Sequence, residues 1–160
     1  MRKWLIFGMA CLLSLGLPVC SNTPSHPKTP TAVVQELFMR IQAIKAAQKA
    51  AKEGGSTEEM AEALPESRAA VDSLFVNPQK AKLLTMPLFL LDLEDVDFLE
   101  EKIDGDSATV TIEHTVVGFG QMVKLKESAQ ERRRMTLQLK KEEGRWLISD
   151  LGGILNKFGR

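Results

Sequence analysis

The side chains best suited to proton transfer are one histidine and one aspartate on two predicted strands. Alternation along residues 108–117 predicts that His114 shares a face with four small or apolar residues: Ala108, Val110, Ile112 and Val116. Asp150 shares its predicted face with Trp146 and Ile148. A histidine and a carboxylate in a water-poor pocket can act as a general base and its orienting group. The plainer alternative, which we prefer, is a core histidine bonded to a backbone carbonyl and a strand-end aspartate in solvent.

Other catalytic and metal-binding patterns are missing from the sequence. The second histidine, His26, lies in a polar N-terminal stretch, and both cysteines, Cys11 and Cys20, fall within the first 20 residues. A cysteine-based or histidine-cluster metal site is therefore excluded from the rest of the chain. The G-x-S-x-G motif and phosphate-binding glycine loops are absent as well. We expect no metal, no cofactor and no enzymatic activity.

The first 20 residues have the pattern of an export signal. Arg2 and Lys3 precede the uncharged apolar run WLIFGMACLLSLGL at positions 4–17. This run is shorter than the roughly 20 apolar residues that a transmembrane helix needs. We therefore predict a signal that is removed after export rather than a permanent membrane span.

The end of this run resembles the lipobox of bacterial lipoproteins. Leu17 and Cys20 fit that pattern, whereas Pro18 is uncommon in it and Val19 is larger than the usual glycine or alanine. The resemblance implies that Cys20 is acylated and attaches the protein to a membrane. The rival is ordinary cleavage after Ser21, which would discard Cys20 and leave a soluble periplasmic or secreted protein. Because Ser21 is not the aspartate linked to inner-membrane retention, the resemblance favours the outer membrane, facing the periplasm.

Composition divides the chain into four parts around one domain. After Cys20, the segment SNTPSHPKTPT is too polar to bury a core and is typical of a tether. We assign 1–19 to a signal peptide, 20–30 to the tether, 31–151 to an α+β domain and 152–160 to a short tail. At 160 residues, the chain is too short for a second independent core.

Helical periodicity dominates the first half of the domain. Pro30 opens a predicted helix that ends before Gly54, with one apolar stripe: Val33, Val34, Leu37, Phe38, Ile41 and Ile44. A second short helix is expected to begin at Thr57, and another is expected from Pro65 to Phe75, before Asn77 and Pro78. Residues 79–91 fit a helix, a connector or a strand.

From Asp95 onward the period changes to two. The turns DGD and EEG each separate alternating segments and predict two hairpins. Helices followed by hairpins indicate an α+β fold, with amino-terminal helices packed on an antiparallel sheet of about four strands.

The proline-opened helix, the hairpin segment GDSATVTI and the closing LKKEEGRWLISDL resemble the nuclear transport factor 2-like superfamily. Within it, they are similar to small bacterial lipoproteins, and the resemblance covers residues 30–151. It implies a curved sheet around helices, with a cone-shaped cavity used in some relatives as an enzyme pocket and in others as a partner surface. The superfamily's isomerases depend on a tyrosine, and this chain has none.

Charge is unevenly distributed along the domain. Residues 92–106 hold eight acids against Lys102, whereas residues 124–145 hold eight bases against four acids. One interpretation is a basic surface around Arg132, Arg133 and Arg134 that meets acidic lipid or protein. The other is a solvated sheet face whose charges discourage edge pairing. Loss of Arg2 and Lys3 with the signal would leave 19 basic against 21 acidic residues, which gives no electrostatic case for nucleic acid.

Together these observations predict an exported, lipid-anchored protein of the bacterial cell envelope. Its membrane contact would be the lipid on Cys20. Its domain would bind an envelope protein or a small ligand without catalysis. A periplasmic pocket enzyme that uses His114 and Asp150 is the alternative.

Overall fold

A computed structural model describes residues 27–54, 57–119, 123–126 and 130–152, with the backbone alone described for 57–63 and for 123 and 124. The predicted signal lies outside these ranges, as do Cys11, His26, the predicted acyl acceptor Cys20 and the tail after residue 152. Within the described ranges, no helix is both long and apolar enough to cross a membrane.

Three helices precede the sheet, as the periodicity predicts. The helices are α1 (Pro30–Lys52), α2 (Thr57–Asp72) and α3 (Pro78–Leu90). Helix α1 begins at the N-cap Thr29, whose hydroxyl accepts a hydrogen bond from the Ala32 N–H at 3.2 Å. Its predicted apolar stripe is buried along its whole length.

The middle of the helical region differs from the sequence prediction. Helix α2 continues through Pro65, where a restart was expected, because proline removes only one backbone donor while Leu64 and Val71 pack on the core. The helix ends at Asp72 rather than Phe75. Leu74 and Val76 instead form backbone hydrogen bonds with Ile148, of 2.8 and 3.0 Å, at the edge of the sheet.

Residues 79–91, which the sequence left ambiguous, form most of α3. Asn77 is its N-cap, since the side-chain oxygen accepts hydrogen bonds from the N–H groups of Gln79 and Lys80 at 3.0 and 3.1 Å. Pro78 occupies the first turn, where a missing N–H costs nothing. The Asn-Pro pair therefore starts a helix as well as separating two.

The antiparallel sheet has four main strands in the order β1-β2-β4-β5. They are β1 (Leu91–Asp104), β2 (Ser107–Phe119), β4 (Glu131–Glu142) and β5 (Arg145–Asp150), while the two-residue β3 (Val123–Lys124) pairs with the end of β2. Both predicted hairpins form. Gly105 has φ of 57° in the first turn, and Glu143 and Gly144 have φ of 50° and 78° in the second, as primed turns require. Strand β1 begins four residues before the predicted Asp95.

The helices cover one face of the sheet, which we call the inner face. Alternate residues of β2, from Ala108 to Val116, are buried there against the α1 stripe. Leu137 and Leu139 of β4 and Ile148 of β5 complete the core. The predicted α+β architecture is thus the observed one.

Candidate functional site

His114 lies on the inner face of β2, as alternation predicts. Its side chain is 6% exposed, and within the described part of the chain its Nδ1 atom has no hydrogen-bond partner. Burial lowers the pKa of His114 below its ordinary value, and the positive charge of Arg133, directly opposite on β4, lowers it further. Both effects favour the neutral imidazole over the charged one.

Asp150 is on the opposite face of the sheet, which corrects the expectation that it faces inward with Trp146 and Ile148. A bulge in the β4–β5 pairing places Ile148 opposite Leu139 but Asp150 opposite Gln138. Ile148 and Leu139 are buried, whereas Asp150 and Gln138 are exposed. The extra residue in β5 reverses the alternation.

The sheet register also separates Asp150 from His114 by distance. Gln138, the partner of Asp150, pairs with Thr109, which is five residues from His114 along β2. At about 3.4 Å per residue, the two side chains lie roughly 17 Å apart along the strand direction. The predicted general base and orienting group do not form a dyad.

The three consecutive arginines do not form a basic surface. Arg132 pairs with Asp97 of β1 and with Glu113 of β2, the latter at 3.0 Å, and Arg134 contacts the other oxygen of Glu113 at 2.9 Å. Arg133 pairs with Glu131 at 2.7 Å. Three carboxylates thus pair with three guanidinium groups. The sheet register sets Asp97 of β1 and Glu113 of β2 beside β4, whereas Glu131 belongs to β4 itself.

Glu113 is the centre of this network. The hydrogen bond from Arg134 lowers its pKa below the ordinary value, and the charges of Arg132 and Arg134 act in the same direction against a partial desolvation. The pairs of Glu113 lie on the outer face of the sheet, where solvent screens them and each is weak. This arrangement fits the solvated-face interpretation of the charge pattern.

A cleft between α2 and α3 is the candidate binding site. Its volume is about 340 Å³, and eight residues line it: Arg68, Val71, Asp72, Lys82, Thr85, Met86, Phe89 and Leu90. Val71 and Thr85 form a buried floor, and the Arg68 guanidinium lies 5.4 Å from the centroid of the Phe89 ring. Small-ligand sites have this size and this mixture of an apolar lining with few polar groups.

Three charged side chains line the cleft: Arg68, Asp72 and Lys82. Arg68 and Lys82 have no carboxylate partner among the described side chains, and Asp72 is the single acid of the lining. Sequence reasoning missed this site because it depends on how two helices pack. The signal that could have found it is the segment KAKLLTMPLFL at 80–90, which has more apolar residues than one buried stripe needs and contains no acid.

No described group of three or more histidine, cysteine, aspartate or glutamate side chains is arranged to hold a metal ion. Neither the cleft nor a second depression on the outer face of the sheet is lined by His114.

Comparison with known proteins gives structural likenesses only. No family model matches the chain, and no curated protein matches its sequence. Among solved structures, it is similar to a SEC-C motif-containing protein of Rhodopseudomonas palustris, at 15% identity over 79% of both chains and a TM-score of 0.41. It is also similar to a Mycobacterium tuberculosis protein of unknown function, at 12% identity over 75% of this chain and 68% of that one, with a TM-score of 0.37.

A third likeness is to a candidate nuclear transport factor 2-like transpeptidase of Campylobacter jejuni. The identity is 17%, over 76% of this chain and 98% of that one, and the TM-score is 0.31. All three scores lie below 0.5, so these likenesses establish neither a family nor an activity. The α+β architecture stands on the structure of the chain itself.

Proposed function

We propose that this chain is an exported protein of the bacterial cell envelope, anchored through an acyl group on Cys20, whose domain is a non-catalytic binding module. The residues around Cys20 support the anchor, and the order of helices and hairpins supports a nuclear transport factor 2-like domain. The observation that carries the binding role is the α2–α3 cleft, with its buried floor and the cations Arg68 and Lys82, which have no carboxylate partner among the described side chains.

The structure offers little support for the alternative, enzymatic role. Asp150 lies on the other face of the sheet from His114, so the carboxylate that would orient the imidazole is missing. His114 is also covered, and the cleft does not reach it. A general base must approach its substrate to within hydrogen-bonding distance, so the burial of His114 favours the non-catalytic role.

Intact-mass measurement of the full chain expressed in a bacterium tests the anchor. We expect a mature protein that begins at Cys20 and carries added acyl mass, recovered with the membrane fraction. A Cys20→Ala variant serves as the control and should lack the acyl mass. An unmodified wild-type protein that begins at Asn22 would refute the anchor.

Ligand protection tests the binding module. The acylated protein is heated with and without envelope lipids or a small-molecule panel, and the unfolding midpoint is recorded. A ligand of the cleft should raise the midpoint of the wild-type protein, since binding only the native state stabilises it. Phe89→Ala, at the cleft, should lose this rise, whereas Met39→Ala, on α1, should retain it. An equal rise in both variants would place the ligand elsewhere.

A further inference from the structure

Helix α3 is apolar on both of its sides. Ala81, Thr85 and Leu88 are buried against the rest of the domain. On the other side Leu83, Met86 and Leu90 are 61%, 56% and 55% exposed, and the buried Pro87 lies at the border of this side. At about 100° per residue these three side chains fall within an arc of about 60°, so they form one ridge along the helix. We call these three residues the α3 ridge.

An exposed apolar ridge of this kind normally packs against another molecule. Soluble proteins scatter single apolar residues over their surface, but a contiguous apolar stripe marks an interaction site. Helix α1 provides the contrast, because the solvent side of its second half carries mainly lysine, glutamine and alanine.

The charges beside the α3 ridge have one sign. Lys80 and Lys82 flank it on either side, about 60° and 40° around the helix from its nearest members. Helix α3 contains no acidic residue, and Arg68 adds a third cation across the cleft. Within the described side chains, these three cations form no ion pair with a carboxylate, and Asp72 is the single acid among the described residues that line the cleft. This combination is complementary to an apolar surface that bears negative charge.

The predicted anchor would keep such a surface within reach. Residues 21–29 separate Cys20 from the first turn of α1 and span at most about 30 Å when extended. A domain held this close to a bilayer meets it at a high effective concentration, so weak contacts become significant. This step rests on the proposed acylation of Cys20.

We propose that the α3 ridge, with Lys80, Lys82 and Arg68, lies on the anionic surface of the bilayer that holds the Cys20 lipid. Leu83, Met86 and Leu90 enter the boundary between headgroups and acyl chains, while the three cations contact phosphate groups. Interfacial helices bind in this way, with apolar side chains inserted and basic residues at their border. The ligand class of the cleft is accordingly a phospholipid headgroup.

A fluorescent probe at the α3 ridge tests the proposal on the full chain, purified in acylated form and reconstituted into vesicles. Acylation leaves Cys20 without a thiol, so a cysteine introduced at Met86→Cys is the only reactive one in the mature protein. The matched control is Met39→Cys, because Met39 is 65% exposed on α1. A polarity-sensitive fluorophore on residue 86 should shift to the blue in phosphatidylglycerol vesicles, with a smaller shift in phosphatidylcholine. The same fluorophore on residue 39 should not shift.

Several outcomes would overturn the proposal. Equal emission from both positions would show that the α3 ridge stays in water. A blue shift of the emission at residue 86 only in native envelope membranes, and not in pure lipid, would show that a protein rather than lipid contacts the α3 ridge. An equal shift in neutral and anionic vesicles would refute the role of the cations. Failure of the anchor itself is recognised separately, since intact mass reports the acyl group before reconstitution.

The lysines give a graded test of the same contact. Lys80→Gln and Lys82→Gln should each lower the docking equilibrium in phosphatidylglycerol vesicles by about fivefold, the value of one base near an anionic membrane. Lys140→Gln, an exposed lysine of β4, should leave it unchanged. An equal loss in all three variants would contradict docking through α3.

Discussion

Helices α1 and α3 both pack on the sheet, but the residues on their solvent-facing sides differ in polarity. The buried stripe of α1 is matched by a largely polar outer side, whereas α3 keeps Leu83, Met86 and Leu90 exposed opposite Ala81 and Leu88. Burial of its apolar side in the core is sufficient to stabilise an amphipathic helix. Packing within the domain therefore explains the apolar stripe of α1 and the buried apolar side of α3, but not the exposed apolar side of α3.

The largest expected effects come from the buried sides of the two helices. Leu37→Ala in α1 and Leu88→Ala in α3 should each lower the free energy of unfolding by about 2 to 5 kcal/mol, since both leave a cavity in a packed core. Urea denaturation of the purified protein measures this. Leu90→Ala, two residues further along on the exposed side of α3, should change the free energy of unfolding by no more than about 0.5 kcal/mol. A cost for Leu90→Ala equal to that of Leu88→Ala would erase the distinction between the two sides of α3.

A smaller effect is expected at the start of α3. Asn77→Ala removes the oxygen that accepts two backbone N–H groups and should cost about 1 kcal/mol. Asn77→Asp keeps an acceptor at this position and should retain most of the stability in the same denaturation assay. If Asn77→Ala proves neutral, the first turn of α3 contributes less to the domain than its geometry indicates.

The sheet repeats the contrast between an inner and an outer side in two adjacent residues, His114 and Glu113. The pKa of His114 is lowered in the folded state, so the unfolded chain binds its proton more readily. Its contribution to stability is complete above the ordinary pKa of 6.5 and is lost as the pH falls below that value. His114→Leu should remove this slope from urea midpoints measured between neutral and mildly acidic pH. Retention of the full slope would assign it to another group.

The smallest effect is expected from Glu113→Gln, on the outer side. Its pKa is lowered by Arg134 and Arg132, so its contribution exists above the ordinary value of 4.5 and disappears as the pH falls through the folded-state pKa. The Glu113 side chain is partly exposed and its arginine partners are exposed, so water and salt screen the pairs. We expect a slight loss of stability at neutral pH in dilute buffer that vanishes in concentrated salt. A loss that persists in high salt would mean that the arginine network is more rigid than an exposed one.

Local sequence rules predicted the features that depend on neighbours in the chain. The spacing of Val33 to Ile44 is sufficient for the buried stripe of α1, because a helix repeats every 3.6 residues whatever it packs against. Gly105 and Gly144 place the hairpin turns, since few other residues adopt positive φ at low cost. Alternation likewise placed His114 on the inner face.

Features that depend on distant residues could not be read in this way. Pro65 suggested a helix break, but packing of α2 on the core outweighs one lost hydrogen bond. Asp150 followed the alternation in sequence, but one bulged residue in β5 turned it to the other face. The cleft and the α3 ridge have no periodic signature, because apolar residues occur on both the buried and the exposed side of α3.

The sequence alone determined the class of fold, the first helix, the two hairpins and the inward position of His114, since each follows from backbone geometry and nearest-neighbour spacing. Only the tertiary structure decided which charges meet and which apolar residues stay in solvent. Register pairs Arg132 and Arg134 with Glu113, although 19 to 21 residues separate them in the chain. Burial of one side of α3 is likewise what leaves its other side exposed, because a rigid helix cannot turn both sides toward the same core.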